Sequence, residues 1–251
     1  MAQGSTAIGI DIGGTGIKGG IVDLETGALL SDRIKLPTPQ GGRPNDIATV
    51  TTQVLTRLDA EDPDAPIGVC FPAVVKNGKT MSAANISQDW IGFDAEAFFE
   101  KELGHGIRFV NDADAAGYAE VKYGAAKGRQ GVVILTTLGT GIGTAIIVDG
   151  LLVPNTELGH LEIDGYDAES RAAYSAKERE KLDWKQWAKR LNRYYAELDK
   201  LFTPDLYIVG GGVSKNFADF AGLLTSPTPF VAAAFRNNSG ILGAAALAAG
   251  R

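Results

Sequence analysis

Short apolar runs rich in β-branched residues, broken by glycines and polar turns, fill the first part of the chain and predict strands at 7–10, 18–23 and 28–36. A proline-flanked loop, 37–44, leads to a stretch in which Ile47, Val50, Val54 and Leu58 recur at helical spacing behind Asn45, the expected N-cap. A fully apolar strand follows at 67–71. The irregular polar stretch 77–90 is longer than a connector requires and is a candidate substrate loop. Asp94 is placed to cap a helix ending at Gly104, and 107–110 is strand-like. The second half repeats this scheme with larger excursions. Its most regular helix is predicted after Asp183, where Trp184, Trp187, Leu191, Tyr194, Leu198 and Leu201 form a packing face that stops before Thr203-Pro204. A strand at 206–209 runs into Gly210-Gly211-Gly212, and the alanine-rich 239–249 predicts a terminal helix that packs back on the first lobe.

One tetrapeptide, Gly-Thr-Gly-Ile, occurs at Gly14-Thr15-Gly16-Ile17 and again half a chain later at Gly139-Thr140-Gly141-Ile142, each time between apolar runs. Both copies read as β-hairpins with glycine- and threonine-rich tips, glycine supplying the backbone angles of a tight turn. A single glycine-rich loop usually only turns the chain. Two in matching halves predict a duplicated α/β domain whose tips face a cleft and hold a phosphate chain through backbone N–H groups and threonine hydroxyls.

Composition narrows the class. The 251 residues are 45% hydrophobic and 22% charged, enough for a substantial core or two smaller lobes. A net charge of −6 argues against a nucleic-acid partner, and any polyanionic substrate must meet a local cationic patch. Cys70, the one cysteine, permits neither an intrachain disulfide nor a cysteine-rich zinc cluster, and its apolar setting reads as a buried small hydrophobe. With no leader-like start and no run approaching a membrane span, a cytoplasmic protein with no membrane partner is expected.

Five motifs in order, Ile10-Asp11-Ile12-Gly13-Gly14-Thr15-Gly16-Ile17-Lys18, Asn111-Asp112-Ala113-Asp114-Ala115, Leu138-Gly139-Thr140-Gly141-Ile142-Gly143, Glu157-Leu158-Gly159-His160 and Val209-Gly210-Gly211-Gly212-Val213, resemble the ROK-family sugar kinases over nearly the whole chain. Within that family the run from Glu157 to Glu169 is most similar to the actinobacterial polyphosphate/ATP glucokinases, some of which also accept mannose. The resemblance implies two actin-like (ribonuclease H-like) α/β lobes with a cleft between them, as in the sugar kinase, actin and Hsp70 superfamily. The lobes are expected at 1–110 and 111–238, in a homodimer. It also implies a glucokinase that transfers a phosphoryl group from polyphosphate or ATP to the 6-hydroxyl of glucose.

The residue roles divide between chemistry, sugar and donor. Asp112, at the junction of a strand and a helix, fits either a helix cap or a base facing a cleft; the resemblance selects the general base. Asn85, Asn111, Asp112, Glu157, His160 and Glu169 are the implied glucose ligands. Asp11, which fits a turn aspartate as well, is implied to orient Mg2+ through water. Gly13, Gly14, Thr15, Gly16, Lys18, Thr140 and Gly141 are implied to hold phosphates, with Gly211 and Gly212 near the adenine of ATP. Lys18 also fits an exposed strand lysine. Lys122, Lys127 and Arg129 are candidate groove cations for polyphosphate or simply solvated side chains.

Two departures from the family pattern stand out. The zinc site that many members build from a histidine and three cysteines has no cysteines here, so no zinc of that type is expected. Alanine replaces glycine in the loop Phe71-Pro72-Ala73. Two rivals stay open: a kinase for an N-acetylated amino sugar and a kinase-dead, sugar-sensing regulator. Against the latter stand Asp112 and an expected first strand only six residues from the start, which leaves no room for a helix-turn-helix.

Overall fold

The two clusters of apolar strands form two five-stranded sheets with the same topology. In the first, β1 (Thr6–Gly13), β2 (Gly16–Asp23) and β3 (Ile34–Leu36) make an antiparallel meander, and after α1 (Pro44–Leu58) the strand β4 (Ile67–Phe71) joins β1 in parallel. A short hairpin, β5 (Val75–Lys76) and β6 (Lys79–Thr80), and the helix α2 (Ala95–Leu103) lead to β7 (Ile107–Asn111), parallel to β4, and α3 (Asp112–Tyr123). The sheet order is β3-β2-β1-β4-β7. In the second sheet β8 (Val132–Leu138), β9 (Ile142–Val148) and β10 (Leu151–Val153) repeat the meander. The small hairpin β11 (Glu162–Ile163) and β12 (Tyr166–Asp167), then α4 (Ala168–Ala172), α5 (Tyr174–Arg179) and α6 (Trp184–Phe202), precede β13 (Leu206–Gly210) and β14 (Phe230–Ala232), giving β10-β9-β8-β13-β14.

This computed structural model describes residues 6–83 and 86–250, and the chain falls into two units: Met1–Tyr123 with Asn238–Arg251, and Gly124–Asn237. The division comes one helix later than the expected boundary at 110/111. The reason is the C-terminal helix, Ser239–Ala249. It lies on β1, β4 and α3 so closely that a Cβ on Gly9, Gly68 or Gly243 would come within 2 Å of a backbone oxygen of Ile241, Ala244 or Ala115 respectively. Backbone-to-backbone packing of this kind requires glycine, and it ties α3 to the first unit.

In the first unit, Ile8, Ile10, Ile12 and Ile17 pack with Ile47, Val54 and Leu58 of α1, beside a group of Phe71, Trp90, Phe99 and Phe109. Full burial of each such side chain contributes on the order of 1.5–3 kcal/mol. Trp90 closes the stretch read as a substrate loop, yet it is fully buried, its ring 4.4 Å from that of Phe71, and its Nε1 donates to the Gly42 carbonyl. The far end of that loop therefore belongs to the core. In the second unit the stripe on α6 buries Trp187, Leu191, Tyr194 and Leu198, and Asp183 caps it with a reciprocal Gln186 bond.

Other local expectations shift. Helix α1 starts at Pro44 with Arg43 as N-cap rather than Asn45, because proline is pre-organised for the first helical position. The third strand is only Ile34–Leu36, with a lone bridge from Leu29 to Val22, since the turn after Asp23 pulls the chain out of register.

Candidate functional site

In the first unit the chemistry-bearing residues collect at the carboxyl ends of the parallel strands. Asp11 on β1 stands opposite Lys18 on β2, whose Nζ donates to Asp11 Oδ2 at 2.8 Å. On its other side Asp11 pairs in register with Cys70 of β4, whose thiol lies 3.8 Å from Asp11 Oδ1. Burial first, and then the charges of Asp11 and Asp112, push the Cys70 thiol well up, so it is a neutral donor that senses both carboxylates. Gly240, in the first turn of the C-terminal helix, abuts Asp11, where a Cβ would be 3.0 Å from its Cγ. Asp11 thus sits at the positive end of that helix.

Asn111 ends β7, and its Oδ1 accepts from the N–H groups of Ala113 and Asp114 at 2.8 and 3.0 Å, while its Nδ2 donates to Ala73 at 3.0 Å. Asn111 therefore does the capping that Asp112 was also suited to do, and Asp112 opens α3 beside it. The same bonds anchor the loop at Ala73.

The first hairpin turns through Gly14 and Thr15 alone, with Gly13 paired to Gly16, and Thr38 Oγ1 donates to the Gly13 carbonyl. None of the tip glycines in either hairpin takes a left-handed φ, contrary to the expected reason for glycine there. Space is the reason at Gly16, where a Cβ would be 2.7 Å from Lys35 Cε, and at Gly141, where it would be 2.3 Å from Glu169 Oε2. Gly14 and Gly139 have nothing within 4 Å of a built Cβ, which leaves their backbone open to a ligand.

The second hairpin turns through three residues, Gly139, Thr140 and Gly141, with Leu138 paired to Ile142. Glu169 Oε2 accepts from the Ile142 N–H at 2.9 Å, and Ser175 binds the Gly139 and Thr140 carbonyls through its N–H and hydroxyl. Beneath the hairpin, Leu158–His160 forms a helical turn that rests on β9 because residue 159 is glycine; a Cβ there would be 2.2 Å from the Ile142 carbonyl. That turn presents Glu157 and His160 together, Oε2 and Nε2 4.0 Å apart.

Asp167, absent from the sequence-based set, holds the other ring nitrogen: His160 Nδ1 lies 2.8 Å from Asp167 Oδ2. The signal for it was Asp164-Gly165, a pair with φ of 55° and 78° that makes the two-residue turn of the β11–β12 hairpin and folds Asp167 back onto His160. The Asp167 bond raises the His160 pKa against desolvation, the next largest influence, and the charges of Glu169, Asp167 and Glu157 add to the rise. Burial pushes the Glu157 carboxyl up, opposed by His160. Ligand atoms of His160, Asp167 and Glu169 lie within 4.8 Å of one another. All three already make hydrogen bonds, His160 with Asp167 and Glu169 with the Ile142 N–H, so the array reads as a set of hydrogen-bonding groups suited to hydroxyls.

At the end of β13, Gly211 has φ 79°, and a Cβ there would be 2.5 Å from the Leu138 carbonyl; Gly212 is open. Ser214 just beyond is buried with its hydroxyl unpartnered among the described residues. Asn85 lies outside the described residues. Lys122 lies over the Tyr123 ring and belongs to the first unit; Lys127 and Arg129 belong to the second, where Arg129 Nε donates to the Ala125 carbonyl. No helix among the described residues is long and apolar enough to cross a membrane.

Residues 7–173 match the model of the ROK family. The chain belongs to the ROK family. Among ROK proteins, the polyphosphate glucokinase of Mycobacterium tuberculosis (strain H37Rv) is 48% identical over 238 residues, covering 94% of this chain and 89% of its own. The crystal structure of the inorganic polyphosphate/ATP-glucomannokinase from Arthrobacter sp. strain KM superposes with a TM-score of 0.94 at 48% identity, over 98% of each chain. A ROK glucokinase from Streptomyces griseus in complex with glucose and AMPPNP shares the fold, with a TM-score of 0.83 at 24% identity over 98% of this chain and all of its own. The chain accordingly carries the two-lobed sugar-kinase plan, with one five-stranded sheet in each unit.

Proposed function

We propose that this protein is a glucokinase that transfers a phosphoryl group from polyphosphate or ATP to the 6-hydroxyl of glucose, and that it accepts mannose as well. The observation that carries the reading is the likeness, end to end and at 48% identity, to a polyphosphate/ATP-glucomannokinase. The residues supply the parts this chemistry needs. Asp112 accepts the proton of the attacking hydroxyl, positioned by the Asn111 cap. Glu157, His160 and Glu169 bind sugar hydroxyls, with Asp167 fixing the imidazole so that Nε2 faces the ligand and Asn85 and Asn111 as further sugar contacts. The backbones of Gly14-Thr15 and Gly139-Thr140 receive phosphate oxygens, and ATP's base lies by Gly211 and Gly212, where Gly212 leaves the backbone open.

Asp11 is already bonded by Lys18 and Cys70, so it suits an outer-sphere role toward Mg2+, holding the water that the ion retains. When bound with the donor, Mg2+ neutralises charge on the phosphate oxygens. The reading is tested by following hexose 6-phosphate formation on a panel of hexoses with ATP and with polyphosphate as donors. Transfer to glucose from at least one donor is expected. No transfer from either would leave a sugar-binding protein without kinase activity.

A further inference from the structure

A polar row crosses the first sheet. Asp11, Lys18 and Lys35 stand directly opposite one another on β1, β2 and β3, and residues so paired project from the same face. Asp11 neutralises Lys18 through the 2.8 Å ion pair. Lys35 is exposed and has no ion pair among the described residues. Lys35 stands opposite Lys18 rather than opposite a carboxylate, so it is the exposed cation of the row.

The stem of Lys35 takes a definite course. It lies over Gly16, where a Cβ would meet Lys35 Cε at 2.7 Å and Cγ at 3.6 Å, so the side chain runs diagonally back along β2 toward the hairpin tip. β3 is itself fastened to that tip by Thr38, two residues on, through its bond to Gly13. The stem thereby heads toward the tip, where a Cβ built on Gly14 meets nothing within 4 Å.

We propose that Lys35 is a donor-binding residue, forming with Lys18 a cationic step against which the phosphate chain lies at the Gly14–Thr15 tip. The inference rests on the phosphotransferase reading above and adds to it the residue that meets the donor's charge. An arriving phosphate chain gives the exposed Lys35 charge a counter-charge, and Gly16, without a side chain, leaves room for the lysine stem.

The test compares wild type, Lys35→Met, which keeps a stem over Gly16 without the charge, and Lys35→Arg. Initial rates at saturating glucose are measured with ATP and with polyphosphate of defined length, at low and high salt. Direct binding of inorganic tripolyphosphate by calorimetry supplies a readout independent of turnover. For Lys35→Met the donor KM is expected to rise roughly 3–10-fold at low salt and the gap to close as salt screens the exposed charge. The glucose KM, kcat at saturating donor and melting temperature should stay unchanged, and Lys35→Arg should restore donor KM.

A loss with both donors places Lys35 against the phosphates that they share, and a loss with polyphosphate alone places it on the extended chain. A donor KM and tripolyphosphate affinity within twofold of wild type at low salt would overturn the proposal, as would a parallel rise in glucose KM. If wild type itself transfers nothing to glucose, the kinase reading fails, and the tripolyphosphate titration still decides the role of Lys35.

Discussion

The two Gly-Thr-Gly-Ile hairpins are identical in sequence and different in build. In the first, Gly16 pairs with Gly13 and the loop is two residues; in the second, Ile142 pairs with Leu138 and the loop is three. What lies behind each tip accounts for the difference. Glu169 takes the Ile142 N–H and Ser175 takes two tip carbonyls, bonds that stand in place of one further ladder pair. Among the described residues the first tip has no such support and is stitched to β3 by Thr38, next to the charged row of Asp11, Lys18 and Lys35. The second is thus a neutral tip coupled through Glu169 to the His160 array, and the first a charged tip coupled to the corner that holds Asp112. A repeated motif conserves a backbone path into open space, while its supports specialise.

The sharpest way to break this division of labour is at Asp112. Asp112→Asn should lower kcat roughly 10²–10⁴-fold with glucose binding little changed, the usual share of a general base. Glu157→Gln, in the other unit, should instead raise the glucose KM, with a loss of about 1–3 kcal/mol in kcat/KM. Steady-state kinetics showing the same kcat and KM pattern for both variants would erase the distinction.

A smaller effect separates the tip glycines. In Gly141→Ala the methyl displaces Glu169 from Ile142, which should cost about 1–3 kcal/mol of stability and raise the glucose KM. Gly14→Ala meets no protein atom, so stability should stay within about 0.5 kcal/mol of wild type while kcat/KM for the donor falls. Thermal melts and donor kinetics on the pair check this; equal destabilisation would mean that the tips are supported alike.

The smallest expected effect is in pH. The Asp167 bond raises His160 above its ordinary 6.5, so the imidazolium, which donates from Nε2, persists to higher pH. Glucose binding should be strongest below that raised value and weaken as pH rises through it. Asp167→Asn removes the leading cause, so the rise in glucose KM should move to lower pH. A KM–pH profile identical to wild type would show that Asp167 does not act through His160.

Much of this was legible in the sequence because periodicity and caps are local. The stripe from Trp184 as far as Leu198, the start of its helix after Asp183, the Asp94 cap on α2 and the bounds of the C-terminal helix all depend on residues a turn or two apart, whereas Leu201, read as part of the stripe, is exposed. Two hairpins were missed although their turns, Asn77-Gly78 and Asp164-Gly165, carry the left-handed φ pair typical of such loops; their strands are only two residues long and show no alternation. The role of Asn111 as the cap of α3, the registers of the two tips and the Asp167 partner of His160 depend on neighbours brought together by tertiary packing. No local pattern states them.

The chain leaves the first unit at Tyr123 and returns to it at Asn238 to lay the C-terminal helix on Gly9 and Gly68. On the ribosome this reverses the usual order of assembly, in which the N-terminal domain finishes first. The contiguous second unit can complete its sheet while synthesis continues, whereas the first waits with one face of β1 and β4 bare until that helix emerges. A premature stop within that helix strips the cover from β1 and β4, strands made more than 150 residues earlier, so a lesion late in the sequence becomes a folding defect in the first unit.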